Sequence, residues 1–375
     1  MITGAHETPY TRHPSPEQTT ERLLADAVVG ALADAGLGRD DVDGLAVSSF
    51  SLAPDHAIDL AWKLGMKLRW IMEDTNGGAS GVNMLQHAVR AVEAGDAETV
   101  VVCAGDRLER EDFRRLVDNY NVATRAHLAP LGFGGPNALF ALVTQRHAEK
   151  HGLGRDDYAC IPLAQRAWAR ANPGAVYRGE LTLEEYLEAP IVASPLTRYD
   201  CVPVVAGADA VVVTGRAASG IRLRAICALH NPDDQQGDGI DPSGFADIAS
   251  DLWGEAGVGP ADVDAAYLYD DYPVMVAVQA EDLGLVADGD LKRFLHTRLV
   301  EERWPLNTSG GQLSAGQAGA AGGMHGLVEA VRQLRGTAGS DRQVPDARLA
   351  LVAGYGMVLY RHGACHNAAV LERVG

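Results

Sequence analysis

The segment Tyr269-Asp270-Asp271-Tyr272 combines two phenols with two carboxyl groups at the predicted end of a strand. Phenols and carboxylates can take a proton from a substrate and return it, which is general acid–base chemistry. Strand alternation predicts that Tyr269 and Asp271 face one side and Asp270 and Tyr272 the other, unless the turn begins earlier. A structural alternative stays open. Asp271 is positioned to cap the predicted helix 274–283, and a buried Tyr269 hydroxyl needs only a hydrogen-bond partner.

Cys365 offers a different chemistry, because it lies in the segment 361–366 between two histidines, His362 and His366. A thiol with a histidine beside it can act as a nucleophile. Neighbours in a strand point to opposite faces, so His362 is the better partner of the two. The alternative is a packed or merely exposed thiol, which is the usual role of a lone cysteine.

The sequence predicts no metal site. Its five cysteines are scattered without a CxxC pair, which also argues against a disulfide scaffold and indicates a cytoplasmic protein with reduced thiols. His147 and His151 lie four residues apart on a predicted helix, which permits shared ligation of a metal ion. The segment between them lacks the glutamate of the zinc-protease motif, so we interpret the pair as a solvated helix face.

A repeat organises the elements that must position these groups. Residues 31–49 and 252–270 are similar, at an offset of 252 − 31 = 221 residues, and each predicts an amphipathic helix that ends at a glycine and precedes an apolar strand. Each copy continues with an Asn-led, glycine-rich turn, a helix and a continuously apolar strand typical of a sheet covered on both faces. These elements are predicted at 76–81, 82–94 and 99–104 in the first copy, and at 307–311, 320–335 and 347–353 in the second. Further strands are predicted at 208–214, 221–230 and 367–372.

The repeat is interrupted between residues 108 and 205, where helix signals and several prolines predominate. We therefore predict an N-terminal half formed by residues 1–107 and 206–218, a helical insertion at 108–205, and a C-terminal half at 219–375. An insertion of this size can fold over one face of the core, and ligand sites favour such clefts.

Charge and hydropathy exclude several classes of function. The formal net charge is −18 with only four lysines, which disfavours binding to nucleic acids and to anionic membranes. No apolar run is long enough to span a bilayer, and the first residues lack the apolar stretch of a signal peptide. A polyanionic ligand such as CoA needs local arginines. The candidates, which are equally typical of a solvated helix face, are Arg107, Arg110, Arg114 and Arg115.

The order of these motifs resembles the thiolase superfamily over nearly the whole chain. Residues 76–104 resemble the nucleophile loop with its buried helix and strand, 307–323 the glycine-rich loop with a His-Pro pair, and 351–357 the final strand with its Cys-x-Gly loop. The resemblance implies a duplicated α/β thiolase fold, layered α/β/α/β/α, with a helical insertion. It is strongest to the thiolase-like, lipid-transfer-protein branch, which includes acyl-CoA retro-aldolases that work with a small OB-fold protein of the DUF35 type.

The departures from the thiolase pattern alter the expected chemistry. Gly78 stands where thiolases have the nucleophilic cysteine, Gln317 replaces the histidine, and Val352 or Ala353 replaces the second cysteine. Thiolysis through an acyl-enzyme is therefore not expected. The resemblance still implies that the backbone N–H groups of Gly78 and Gly356 bind an oxyanion or enolate.

The resemblance instead implies cleavage or formation of a C–C bond, by retro-aldol or aldol reaction of a β-hydroxyacyl-CoA, in lipid metabolism. Tyr269 resembles the tyrosine that serves steroid side-chain aldolases, and Asp270 is positioned to orient it. Those aldolases use a second tyrosine near the glycine-rich loop, where this chain has Gln317, and Tyr355 is the candidate replacement. The pocket is expected to include Asn76, Ser80, Asp271, Tyr272, Asn307 and Gln317.

Two alternatives remain open: an acyltransferase or Claisen-type condensing enzyme that uses Cys365, and a non-catalytic scaffold of thiolase fold in a complex with an OB-fold partner. The resemblance further implies a homodimer, with the strand after the nucleophile helix at the interface. It implies a CoA thioester as substrate and no tightly bound cofactor.

Overall fold

The computed structural model describes residues 1–54, 56–119, 121–133, 135–232, 243–359 and 362–375, with only the backbone of His362. The strands are β1 (Ile2–Glu7), β2 (Gly44–Ser48), β3 (Trp70–Glu73), β4 (Thr99–Asp106), β5 (Ile191–Ala193), β6 (Leu196–Thr197), β7 (Gly207–Thr214), β8 (Gly220–His230), β9 (Ala265–Tyr267), β10 (Leu349–Leu359) and β11 (His362–Val374). The helices are α1 (Thr20–Ala35), α2 (His56–Lys63), α3 (Ser80–Ala94), α4 (Arg110–Asp118), α5 (Pro136–His151), α6 (Arg155–Ala169), α7 (Leu183–Leu187), α8 (Phe245–Ala256), α9 (Pro273–Asp282), α10 (Leu291–Arg293), α11 (Gly311–Ala315) and α12 (Gly322–Arg335).

Among the described residues, nine strands form one sheet in the order β3-β2-β4-β7-β1-β8-β11-β10-β9. Each half repeats the same pairing: β2 and β4 are parallel, as are β9 and β10, and β7 is antiparallel to both β4 and β1, as β11 is to both β10 and β8. The halves meet where Ile2 of β1 pairs with Ile221 of β8. This symmetry confirms the predicted duplication.

The repeated helices end as their sequences predict. Gly36 closes α1 with φ 69° and Gly257 closes α8 with φ 62°, both in the left-handed region that favours glycine. In each copy a short turn then leads directly into a buried strand, β2 or β9.

The core is layered. Helices α1 and α2 pack on one face of the N-terminal half of the sheet, and α8 and α9 contribute to the apolar cluster of the C-terminal half. Between the halves lie α3 and α12, whose apolar side chains pack on strands from both. They approach so closely that a Cβ at Gly81 would lie 2.0 Å from the carbonyl oxygen of Gly323. This α/β/α/β/α arrangement confirms the predicted fold class.

Helices α4 to α7 come from the predicted insertion, and α5 and α6 pack on the C-terminal half while α7 packs on α6. Helix α5 contacts α9, and α6 contacts α9, α11 and the π-helical segment Phe294–Glu301. The insertion therefore lies next to the loop that joins β9 to α9, which carries the tyrosine and aspartate residues. Among the described residues, no helix has the length and apolar character needed to cross a membrane.

One expectation about assembly is wrong. The strand after the nucleophile-loop helix is β4, which lies between β2 and β7 and is hydrogen-bonded on both edges. It cannot add a strand from another molecule. The edge strand of the N-terminal half is β3.

Candidate active site

The loop after β9 is held by two side-chain amides at the point where sheet pairing stops. The Asn307 amide accepts from Leu268 N and donates to Leu268 O, both at 3.0 Å. The Gln279 amide accepts from Tyr269 N at 3.0 Å and donates to Tyr269 O at 2.7 Å. Each amide makes the pair of backbone hydrogen bonds that a neighbouring strand would otherwise make. The backbone that carries Tyr269 is therefore fixed by Gln279 of α9 and by Asn307 of the glycine-rich loop.

We expect Asn307→Ala to lower the free energy of unfolding by about 3 kcal/mol, because it leaves two buried backbone groups of Leu268 without partners. Urea denaturation followed by circular dichroism measures this, with exposed Asn119→Ala as the matched control. A loss below about 1 kcal/mol, within the range of one exposed hydrogen bond, contradicts the proposed role of Asn307.

Gly78 lies against the Tyr269 ring. It belongs to the short turn Gly77–Ala79 that precedes α3. A Cβ at Gly78 would lie 2.2 Å from Cζ of Tyr269 and 2.3 Å from the carbonyl oxygen of Tyr355. The phenol therefore occupies the space that a nucleophilic side chain needs. On the other side of the turn, a Cβ at Gly356 would lie 2.8 Å from Gly78 N, so the two glycine backbones lie close together, although only Gly78 lines the pocket.

A chain of side-chain hydrogen bonds links Tyr269 to Asp270. Gln317 donates from Nε2 to the Tyr269 hydroxyl oxygen at 3.1 Å and to Gln312 Oε1 at 3.0 Å. Gln312 in turn donates from Nε2 to Asp270 Oδ1 at 3.3 Å, and its backbone N–H donates to the same oxygen at 3.0 Å. Burial raises the pKa of Asp270 to about 6, against the opposing effect of these donors and the backbone N–H of Leu313. Gln317 thus orients the Tyr269 hydroxyl by donating to it.

Asp271 is a buried carboxyl group that faces the same pocket as Tyr269. Its residue is 9 % exposed, and within the described structure its Oδ1 has no hydrogen-bond partner. Burial first, and then the nearby charge of Asp270, raise the pKa of Asp271 well above its ordinary value. In the part of the chain that the structure describes, no side-chain hydrogen bond caps α9, whose N-cap residue is Tyr272, so the capping interpretation of Asp271 is wrong.

Tyr272 forms a third side of this site. Its hydroxyl donates to Asn137 Oδ1 at 2.5 Å, and its ring stacks on Phe140 with centroids 4.2 Å apart. Tyr269, Asp271 and Tyr272 all line the pocket, whereas Asp270 points to the N-terminus of α11. Strand alternation is therefore correct for the first three residues and wrong for Tyr272, because the strand ends at Tyr267 and the chain turns into α9.

The pocket is a cleft of about 100 Å³ that opens to solvent. Its reactive groups lie beside Gly77, Gly78, Gln317 and Gly319, and its outer wall is largely apolar and comes mostly from the insertion. This wall includes Phe113, Leu116, Val117, Pro136, Leu139 and Val202. A groove next to it shares Phe50 and Leu116 with the pocket and is lined by Arg107 and Arg115.

Other predicted site residues lie behind the pocket wall. Asn76 and Ser80 both donate hydrogen bonds to the carboxylate of Asp74, at 2.8 Å from Asn76 N and 2.5 Å from Ser80 Oγ, and so hold the turn before α3. The buried Tyr355 hydroxyl accepts from the backbone N–H of Gly363. Neither these three side chains nor Asn307 is among the residues that line the pocket.

Cys365 lies on β11 opposite Gly356, and its buried thiol donates to Asn76 Oδ1 at 3.5 Å. Burial, followed by the charge of Asp74, raises the pKa of Cys365 to about 11, which keeps the thiol protonated near neutral pH. The side chain of His362, its expected partner, lies outside the described residues.

Several functional positions were not found by sequence reasoning. Gln279 and Gln312 hold the reactive loop, and each is a buried polar residue in a helix whose neighbouring positions are largely apolar or small. That pattern was the available signal. For the pocket wall, Phe113, Leu116 and Val117 recur at i, i+3 and i+4 on the charged helix α4, which marks one apolar face.

The interpretation of His147 and His151 as a solvated helix face is wrong for His147. Its side chain is 6 % exposed because α5 packs on α9, where its Nε2 lies 2.9 Å from Glu281 Oε2. The buried His325 is likewise paired, with Glu7 at 2.7 Å from its Nδ1 and Ser309 at 2.7 Å from its Nε2.

Comparisons with known proteins agree with this geometry. Residues 231–372 match the family described as thiolase C-terminal domain-like. The chain is 33 % identical to the 17-hydroxy-3-oxo-4-pregnene-20-carboxyl-CoA lyase of Mycobacterium tuberculosis, over 84 % of this chain and 86 % of the lyase. It is 31 % identical to the steroid side-chain-cleaving aldolase of Thermomonospora curvata, over 84 % of this chain and 85 % of that one.

The solved structure of the Ltp2-ChsH2(DUF35) aldolase superposes with a TM-score of 0.85 at 28 % identity, covering 99 % of this chain and 97 % of that one. The match therefore includes the insertion and both halves of the core. The chain belongs to the thiolase superfamily, in the family that contains the steroid side-chain-cleaving acyl-CoA lyases.

Proposed function

We propose that the protein is an acyl-CoA lyase that cleaves a β-hydroxyacyl-CoA by a retro-aldol reaction. The observation that carries this proposal is the Tyr269 phenol, which fills the space above Gly78 in a pocket that also holds Asp271. The site thus combines two proton-transfer groups with converging glycine backbones and leaves no room for a nucleophile on Gly78. The names and similarity of the two lyase relatives support the same reaction.

The proton transfers can be assigned from position and acidity. Asp271, in its ionised form, takes the proton of the β-hydroxyl, whose electron pair becomes the new carbonyl bond as the bond between Cα and Cβ breaks. The electrons of that bond form the thioester enolate, which the backbone N–H groups of Gly78 and Gly356 stabilise. Tyr269 donates its proton to Cα, and the phenolate, stabilised by Gln317, regains a proton from Asp271. No free CoA is consumed.

We propose that the acyl group is bulky and apolar, like the steroid chains in the names of the two relatives. The largely apolar outer wall of the pocket supports this assignment. Arg107 and Arg115 in the adjoining groove, which are ion-paired with Glu109 and Asp112, are the candidate partners of the CoA phosphates in a chain of net charge −18.

Substrate preference tests the proposal. Purified protein, alone and with a DUF35-type OB-fold protein, is given either β-hydroxyacyl-CoAs or β-ketoacyl-CoAs plus free CoA. We expect turnover of the hydroxy substrates alone. Cleavage of the keto substrates alone contradicts the assignment of this protein as a lyase. The absence of turnover in all mixtures contradicts a catalytic function and supports a non-catalytic scaffold.

We expect Cys365→Ser to leave lyase turnover unchanged, because the Cys365 thiol is protonated and donates a hydrogen bond to Asn76. The measurement is the initial rate together with the intact protein mass after incubation with substrate. An acyl adduct on the wild type that disappears in the variant, with loss of turnover, supports the acyltransferase instead.

We expect Asp271→Asn to lower kcat by about 10²–10⁴-fold without a matching change in KM, because an amide cannot take the β-hydroxyl proton. In the wild type, kcat rises with pH through the raised pKa of Asp271, since only the ionised form is a base. The residual activity of the variant should lack this rise. A variant that keeps the same pH profile contradicts the assignment.

The same substitution should increase stability at alkaline pH. Between the ordinary carboxyl pKa and the raised value, the native state retains a proton that the unfolded chain releases. The wild type therefore loses stability as pH rises, by about 1.4 kcal/mol per pH unit for this group. Urea denaturation at several pH values should show a smaller loss in Asp271→Asn. An equal loss in both proteins contradicts the buried state of this carboxyl group.

We also propose a homodimer, a DUF35-type OB-fold partner and a cytoplasmic location. The exposed edge of β3, with Ile71 at 42 % exposure, supports the first of these. The name of the Ltp2-ChsH2(DUF35) aldolase supports the second, and the five free cysteines support the third.

A further inference from the structure

Two histidines and a glutamate converge at the C-terminal ends of α5 and α9, away from the active site. His147 and His151 lie one turn apart on α5, and Glu281 lies near the end of α9. Glu281 Oε2 is 2.9 Å from His147 Nε2, and Glu281 Oε1 is 3.3 Å from His151 Nδ1. One ligand atom from each residue lies within 4.8 Å of the others. Three side chains from two helices therefore point to one place.

These separations match those of metal ligands. Nitrogen and oxygen ligands of tetrahedral Zn²⁺ lie about 2.0–2.1 Å from the ion and hence about 3.4 Å from one another. The two nitrogen-to-oxygen distances, 2.9 and 3.3 Å, are close to this value. Two imidazoles and one carboxylate suit zinc and related transition-metal ions, and paired histidines at i and i+4 are a known way for a helix to provide two ligands.

The groups behind the cluster are also those of a metal site. His147 Nδ1 lies 2.7 Å from the hydroxyl of Tyr158 on α6, and such a contact fixes the ring and directs Nε2 to the ion. The His151 and Glu281 side chains are 20 % and 21 % exposed, which leaves a path for an ion and a fourth position for water.

A second cluster shows that proximity alone is not enough. Glu7, Asp209 and His325 also lie close together. Burial alone would lower the pKa of His325, but Glu7 raises it to about 9, so this ring is a cation paired with a carboxylate. Arg332 lies 3.8 Å from Glu7 and adds further positive charge. This cluster is an ion pair and does not present a free imidazole lone pair.

We propose that His147, His151 and Glu281 bind one divalent transition-metal ion of the zinc class, which joins the insertion to the core. Pro136 marks the end of α5 that lines the pocket. The ion lies about 20 Å from it along the helix, so the ion does not touch the substrate. It holds α5 and α9 together, and both helices begin at the pocket, at Pro136 and Pro273 respectively. Its role is to fix the relative position of these two parts of the pocket wall.

Direct titration with metal ions tests the proposal. The purified full-length chain is freed of metal with a chelator and titrated with Co²⁺ and then with Zn²⁺, followed by visible absorption, metal content and Tm. We expect one ion per chain, the visible bands of Co²⁺ with low coordination number, displacement by Zn²⁺, and a rise in Tm with Zn²⁺ concentration. A Co²⁺ spectrum identical to that of the free aqueous ion, with no bound metal after desalting, overturns the proposal.

Variants separate this site from adventitious binding. Glu281→Gln keeps the size of the side chain, and we expect it and His151→Asn to abolish the Co²⁺ bands and the rise in Tm. Tyr158→Phe, which removes only the supporting hydroxyl, should weaken affinity by about 10–100-fold. His87→Asn, at an exposed histidine on α3, is the matched control and should bind as the wild type does. Unchanged binding in both Glu281→Gln and His151→Asn overturns the assignment.

Discussion

Tyr269→Phe is expected to lower kcat of the lyase reaction by about 10²–10⁴-fold with KM nearly unchanged. The variant keeps the ring that packs on Gly78 and removes only the hydroxyl that Gln317 orients, at 3.1 Å. Without this proton donor the thioester enolate is formed but cannot be protonated on Cα by the protein. Initial rates with a β-hydroxyacyl-CoA, together with a ligand-binding isotherm, measure both effects.

Tyr355→Phe is the matched control, because the two rings lie 6.4 Å apart and both are buried. The Tyr355 hydroxyl accepts from the backbone of Gly363, so its loss should cost stability and leave kcat close to the wild-type value. A larger loss of kcat in Tyr355→Phe than in Tyr269→Phe reverses the assignment and makes Tyr355 the catalytic tyrosine.

Gly78→Cys is expected to destabilise the protein by about 3 kcal/mol, the upper end of the usual cost of overpacking, and to abolish lyase activity without creating a thiolase. A Cβ at this position would lie 2.2 Å from the Tyr269 ring and 2.3 Å from a backbone oxygen, and the backbone cannot move as a flexible side chain can. The new thiol must therefore displace Tyr269 or distort the turn before α3. Thermal unfolding and assays with both substrate classes measure these effects.

Gly254→Cys is the control, because this exposed glycine on α8 has no atom within 4 Å of the position of an added Cβ. It should leave Tm and activity nearly unchanged. Adding Tyr269→Ala to Gly78→Cys should recover part of the lost stability by making room for the thiol. A stable, fully active Gly78→Cys single variant is incompatible with the close contact between Gly78 and Tyr269.

Much of the fold can be predicted from the sequence because its signals are local. The matched segments 31–49 and 252–270 indicate the duplication, and continuous apolar runs indicate strands such as β4, which is buried along its whole length. The glycines that end α1 and α8 mark the same position in both copies. Each of these signals is contained in a short stretch of neighbouring residues.

The site was predicted less completely because it depends on contacts between distant segments. Tyr269 and Gly78 were identified separately, but the contact between them exists only because β9 and the turn before α3 meet across the core. The hydrogen-bond chain through Gln312 and Gln317 likewise joins a loop to the end of β9. A hydrogen bond between a glutamine and a tyrosine far apart in the chain produces no periodic pattern in the sequence.

The expected interface strand shows the same limit. The buried strand predicted at residues 99–104 is present as β4, which extends to Asp106, but sequence alone does not tell a central strand from one at a sheet edge. The order β3-β2-β4-β7 puts this strand inside the sheet and β3 at its edge. Which edge is exposed follows from topology rather than from composition.

The most direct test of the retro-aldol mechanism is the product balance of one reaction in D₂O, with a β-hydroxyacyl-CoA as the only substrate and no free CoA. The retro-aldol mechanism predicts equal amounts of a carbonyl compound and a shortened acyl-CoA, one deuterium on Cα of the acyl-CoA, and no acyl group on the protein. An acyl-enzyme adduct, or an absolute requirement for free CoA, contradicts it and supports a nucleophile such as Cys365.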